Sequence, residues 1–171
     1  MLVLGNIAGL IGSIFMVLTG LVKKKKRIIF LQAIEQMFFI IGCILLGSVP
    51  GAITNALSFV IIVFCYNNKL EIKEKILFTI LSIGSVVYFN NIGIIGYLPL
   101  ISTVVYLWLM TIKDIIKFKY LVIFCMILWT VHDFYIKAYT STLFDIGTII
   151  ASFIAIIMIK NKKNKRKRKG K

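Results

Sequence analysis

Residues 2–22 read LVLGNIAGLIGSIFMVLTGLV, and residues 23–27 follow as KKKKR. The apolar run is long enough to cross a bilayer as a helix, which takes roughly 20 residues. No basic stretch precedes it and no small-residue cleavage pattern follows, so it reads as a first spanning helix and not as a cleaved signal peptide. The five bases that end it mark a cytoplasmic boundary, because short positively charged loops stay on that side.

Working outward, the same alternation recurs. Apolar runs at about 2–22, 28–47, 50–66, 75–90, 96–112, 119–136 and 141–160 are separated by charged or turn residues. Lys69, Lys73 and Lys75 precede the fourth run, Lys113, Lys117 and Lys119 separate the fifth and sixth, and a basic stretch begins at Lys160. With seven spans, 20 of the 21 basic residues fall on one side and only Lys137 on the other. Six or eight spans would split them. The expectation is therefore an all-α polytopic membrane protein of seven transmembrane helices, N-terminus outside and C-terminus cytoplasmic.

Composition agrees. The 171-residue chain is 60% hydrophobic, well above the soluble norm of about 45–50%. Mean hydropathy is +0.96. These values exclude a soluble enzyme, a β-barrel, a disulfide scaffold and a disordered chain. Seven spans leave no segment for an attached catalytic or extracellular domain. The net charge of +15 would suggest nucleic acid on a soluble chain. Here it reports orientation, and no nucleic-acid partner is expected. Cys43, Cys65 and Cys125 all sit in apolar runs without a CxxC, which reads as packing. There is no phosphate loop, HExxH or GxSxG, and His132 is the only histidine, so neither enzyme activity, a metal nor a cofactor is expected.

The helices divide as a single transmembrane domain, 1–160. Within it lie a first three-helix half (1–70), a linker helix (71–95) and a second half (96–160), followed by a basic, disordered cytoplasmic tail (161–171). An offset of 90 residues pairs Lys23 with Lys113 and Asn55 with Asp145. Only four of 66 positions are identical at that offset, near chance for this composition. The topology permits a duplication of parallel halves about an axis along the membrane normal, and the identities do not demonstrate it.

Ionisable groups within spans are expensive, about 2.5–3.5 kcal/mol on insertion scales, and so are candidates for function. Glu35, Asp133 and Asp145 are three of the six acids, and His132 adjoins one of them. Helical spacing puts Trp129, His132, Asp133 and Ile136 on one face. The functional reading gives a solute site: Trp129 a stacking wall, His132 and Asp133 a polar gate or proton relay, Asn55 and Asp145 paired polar contacts. The competing reading is an outer aromatic belt, with Asp133 paired to Lys137 at the helix end. Asp145, Thr148 and Ser152 share a face, as do Asn55 and Ser58. Ser102, Thr103 and Tyr106 lie on the fifth helix. For the hydroxyl residues the competing reading is interhelical packing. Glu35, on a stripe with Gln32 and Gln36, is either a proton-coupling acid or a carboxylate snorkelling to Lys24–Arg27.

The stretch Trp129-Thr-Val-His132-Asp133-Phe134 resembles the W-x-x-H-[ND]-F pattern of the YgjV-type bacterial inner membrane proteins; Leu98–Thr103 resembles that family's fifth helix, and Arg27–Gln32 its segment after a basic loop. The resemblance covers most of the chain, and its specific part is the Trp-x-x-His-Asp-Phe signature. It implies a multi-pass protein of the bacterial cytoplasmic (inner) membrane. The helix count is similar to that of the SWEET, PnuC and PQ-loop transporters, whose 3-1-3 fold holds a solute site between two three-helix halves. This chain has no Pro-Gln dipeptide and no proline in its first helix, so the likeness is one of architecture and the gating parts do not carry over.

The expected function is that of a small-solute transporter, facilitative or ion-coupled, with a SWEET-like 3-1-3 arrangement. The alternative is a non-transporting structural or interaction protein of the membrane. Expected partners are the lipid bilayer, anionic lipid at the basic tail and a small polar solute of unknown identity. A homodimer is compatible with semi-independent halves, and nothing on the surface selects it.

Overall fold

A computed structural model describes residues 1–21, 25–67, 69–109 and 114–169. All regular structure among them is helical: α1 (Leu2–Leu21), α2 (Lys25–Leu45), α3 (Val49–Tyr66), α4 (Ile72–Phe89), α5 (Tyr97–Leu109), α6 (Ile115–Tyr135) and α7 (Tyr139–Lys169), with one 3₁₀ turn at Gly93–Gly96. The seven helices coincide with the seven apolar runs. Lys23, Lys24 and Lys113, together with the side chains of Lys25–Arg27 and of residues 162–169, lie outside what is described. The snorkelling pair expected for Glu35 therefore lies there too.

One expectation is corrected. The basic stretch beyond Asn161 was expected to lack regular structure, yet α7 continues to Lys169. Lys and Arg are good helix formers, and no proline or glycine interrupts the run before Gly170.

Neighbouring helices form a ring in chain order. α1 packs on α2, α2 on α3, α3 on α5, α5 on α6, α6 on α7, and α7 closes on α1. α4 stands outside the ring, against α3 and α5. It is attached by apolar packing and one polar clasp. Phe78 lies in a buried cluster with Ile61 and Leu107, and meets Phe64 edge to face at 5.3 Å. Trp108 Nε1 donates to Thr79 Oγ1 at 2.9 Å.

The outward faces are greasy: Ile44, Ile80, Phe134, Leu143 and Met158 are all exposed. Two helical segments, Val49–Tyr66 and Tyr139–Asn161, are long and apolar enough to cross a membrane. Only 33% and 25% of them is buried, whereas the core helix of a soluble protein would be mostly covered. Lipid is the solvent that satisfies such surfaces.

The 90-residue offset reappears in the backbone. α2 spans 25–45 and α6 spans 115–135, while α3 begins at 49 and α7 at 139. The turns between them match bond for bond. In the first, Gly47 N–H donates to Ile44 O at 3.1 Å and Ser48 N–H to Cys43 O at 2.9 Å. In the second, Lys137 N–H donates to Phe134 O at 3.2 Å and Ala138 N–H to Asp133 O at 2.8 Å. Both are Schellman closures, which place one residue in the left-handed region. Gly47 fills it at φ 79° and Lys137 at φ 62°.

A lysine in that conformation carries a steric cost of about 1–2 kcal/mol that glycine avoids, partly offset by the extra freedom glycine has when unfolded. Lys137→Gly is therefore expected to stabilise the protein by about 0.5–1 kcal/mol. A rise in melting temperature in detergent checks it; a fall would mean that the lysine side chain contributes more than its backbone costs.

Candidate functional site

The turns at this end are pinned by two asparagines. Asn91 Nδ2 donates to Gly47 O at 2.7 Å and Asn91 Oδ1 accepts from Val49 N–H at 3.2 Å. Asn6 joins the start of α1 to the turn after α6: its Nδ2 donates to Lys137 O at 3.0 Å, and its carbonyl accepts from Thr140 Oγ1 at 2.8 Å. The fixed turns aim the first residues of α3 and the last of α6 at each other.

There Ser48 caps α3, its Oγ accepting from Gly51 N–H at 3.1 Å, with Pro50 in the first turn where no N–H is required. The same Oγ lies 2.8 Å from His132 Nε2, and His132 Nδ1 lies 2.8 Å from Asp133 Oδ1. One hydrogen arrangement satisfies every atom. Nδ1–H donates to the Asp133 carboxyl, Nε2 accepts from the Ser48 hydroxyl, and a lone pair on Oγ remains for Gly51 N–H. Trp129 closes the group, its ring edge to face with His132 at 5.5 Å. Ser48 and His132 are both 0% exposed.

Inside the ring lies a cavity of about 540 Å³, bordered by α1, α2, α3, α5, α6 and α7. That size suits a small molecule. Glu35, Asn55, Trp129, Asp133 and Asp145 all line it. The hydroxyl candidates Ser58, Ser102, Thr103, Tyr106 and Thr148 line it as well, whereas Ser152 is buried without reaching it. His132 does not reach the cavity either. It stands behind Asp133 and fixes that carboxyl's direction. The expected Asp133–Lys137 helix-end pair does not form: Asp133 pairs with His132, and Lys137 lies beyond the end of α6.

Wall positions obey the 90-residue offset. Phe39 corresponds to Trp129, Cys43 to Asp133, Asn55 to Asp145 and Ser58 to Thr148, and all eight line the cavity. Asn55 Nδ2 meets Cys43 Sγ at 3.5 Å on one side. On the other side the same two positions carry carboxyls. Asp145 is 7% exposed, and its Oδ2 has no hydrogen-bond partner among the described residues. No lysine or arginine lines the cavity among the described residues.

Ser48 was not singled out from the sequence, and Cys43 was read only as packing. Ser48 carried a usable signal, a serine two residues before a proline at a helix start. Ser48, His132 and Asp133 also have the contact order of a hydrolase triad, but a nucleophile must reach substrate. Ser48 Oγ is sealed from the cavity and already holds the end of α3, so the trio acts as a clamp between α3 and α6.

An all-helical ring with an apolar outer surface and acids set into its internal cavity fits an α-helical membrane protein. The chain belongs to the Imp-YgjV family, described as bacterial inner membrane protein, whose model matches residues 3–163. No curated protein and no solved structure matches it.

Proposed function

We propose that this protein is a small-solute transporter of the bacterial inner membrane, facilitative or ion-coupled, without enzymatic activity. It spans the membrane seven times with the N-terminus outside. The reading takes α1–α3 and α5–α7 as parallel three-helix halves in a 3-1-3 arrangement, with α4 as the linker, and the solute bound between them. Asn55 and Asp145 are its paired contacts, Trp129 its stacking wall, and Asp133, held by His132, its polar gate. Glu35 is the proton-coupling candidate. His132 serves that role only through Asp133.

One observation carries this reading. Polar residues from five helices (α2, α3, α5, α6 and α7) meet at a single cavity between the two groups of helices, and a buried carboxyl oxygen there is left unpaired. Helix glue predicts the opposite, since a polar group in a dry bundle is kept because it bonds a neighbour. That weighs against the purely structural alternative.

The test is thermal stability of detergent-purified protein against a panel of sugars, nucleosides, amino acids, amines and vitamins, with Trp129→Ala and Asp145→Asn alongside. Under the transport reading, one class stabilises the wild type and both variants lose most of that stabilisation. An unresponsive wild type together with two low-melting variants would return these residues to a scaffold role.

A further inference from the structure

From the cavity's charge and the placement of its acids we infer that the transported solute is a linear aliphatic polyamine cation, bound end to end along the cavity. This rests on the transport reading above and names its substrate class.

The polar groups of the cavity are biased toward negative charge and hydrogen-bond acceptance. Glu35, Asp133 and Asp145 line it, and no lysine or arginine does so among the described residues. A solute carrying a carboxylate or phosphate would find no cation to pair with, which sets aside amino acids, organic acids and phosphorylated compounds. Asp145 Oδ2, buried and unpartnered at the wall, needs a donor. Gln36 Oε1, at the same cavity, is a second unpartnered acceptor. A protonated amine supplies both the charge and the N–H groups, whereas a quaternary ammonium supplies only the charge.

The acids stand at two levels. By the 90-residue offset Glu35 occupies the register of Cys125, and both line the cavity. Cys125 precedes Asp133 by eight residues on α6, a rise on the order of 12 Å. Glu35 therefore lies deep and Asp133 near the turn end, with Asp145, six residues into α7, about 9 Å in from that end. Between Glu35 and Asp133 the wall offers apolar and aromatic surface at Phe39, Met126 and Trp129 beside the polar Asn55 and Ser58. Methylenes flanked by ammonium groups fit that order, and an extended triamine spans both levels while a monoamine reaches one. The described His, Cys, Asp and Glu side chains do not cluster for a metal ion, so the spaced acids do not form a metal site. An inside-negative membrane potential would draw such a cation toward the cytoplasm.

The experiment uses the full chain in proteoliposomes, with an inside-negative potential set by potassium and valinomycin. Probes are radiolabelled spermidine, putrescine, butylamine, glucose and uridine. The expected result is spermidine uptake at least tenfold above protein-free vesicles, rising with the potential. Asp145→Asn should lower it tenfold or more. Glu35→Gln should lower spermidine uptake several-fold more than it lowers butylamine uptake. Melting curves of both variants, and competition by unlabelled amines on the wild type, keep the result readable if a variant folds poorly. Uptake of glucose or uridine without spermidine would overturn the substrate class and leave the transport reading standing. Equal use of butylamine and spermidine, untouched by Glu35→Gln, would overturn the two-level site. No uptake of any probe, with no stabilisation by any solute, would overturn both.

Discussion

His132→Ala is expected to be the most destabilising single change in the helix ring, by about 3–5 kcal/mol, from two buried groups left unsatisfied and the void behind them. The imidazole is fully buried and bonded on both nitrogens. Its removal leaves the Asp133 carboxyl and the Ser48 hydroxyl each short of a partner, at about 1–3 kcal/mol per unsatisfied group, and opens a void beside Trp129. His132→Asn should recover part of the loss, because a short amide can still donate to Asp133 while the Ser48 bond is gone. Denaturant titration in mixed micelles, read by helical content, measures both. A double-mutant cycle with Ser48→Ala should show coupling of about 1 kcal/mol or more between the two residues. A loss under 1 kcal/mol for His132→Ala would mean that the clamp does not hold α3 to α6. The same variants should bind a cavity ligand less well even when folded, since Asp133 then has no fixed direction.

Much of this arrangement could be read from the sequence, for reasons that differ from part to part. The seven helices were legible because a bilayer demands long apolar runs and places bases between them, a signal that survives ±2–4 residues of uncertainty at each end. The 90-residue offset was visible as topology and invisible as identity. What repeats is backbone: where α2 and α6 end, which carbonyl takes which N–H, and which positions face inward. Side chains at those positions have diverged, Cys43 against Asp133 and Glu35 against Cys125. The cavity residues were legible because a carboxyl in lipid is costly enough to be conspicuous. Helical periodicity put His132 beside Trp129 and Asp133, where it lies, but its bond to the cap of α3 was not legible, because nothing local to α6 encodes that partner. Ser48 was hidden for the same reason, since its importance lies in a contact 84 residues away. The outer position of α4 was also unreadable, because its packing onto α3 and α5 depends on Phe78 and Thr79 finding partners that the sequence does not number.

Gly51→Ala should be the second most damaging change, costing about 1–3 kcal/mol by overpacking. A Cβ there would sit 2.8 Å from His132 Cε1, 2.8 Å from Ser48 Oγ and 2.9 Å from Cys43 Sγ. These atoms belong to α6, to the cap of α3 and to α2, so no single side-chain rotation relieves all three. The imidazole is pinned at both nitrogens, Ser48 Oγ is held by Gly51 N–H, and Cys43 Sγ by Asn55. The helix must back away, lengthening the Ser48–His132 bond. Gly147 on α7 is the internal control, because a Cβ there meets nothing within 4 Å. Gly147→Ala should be neutral or stabilise by up to about 1 kcal/mol through helix propensity alone. Comparing the two alanines in the same detergent separates a steric effect at the clamp from a general effect of adding a methyl group to a spanning helix. If both melt alike, the close approach at Gly51 carries no energy. If Gly51→Ala alone melts low, combining it with Ser48→Ala should cost less than the sum of the two single losses, because the smaller side chain removes one of the three contacts and the bond that pins the ring.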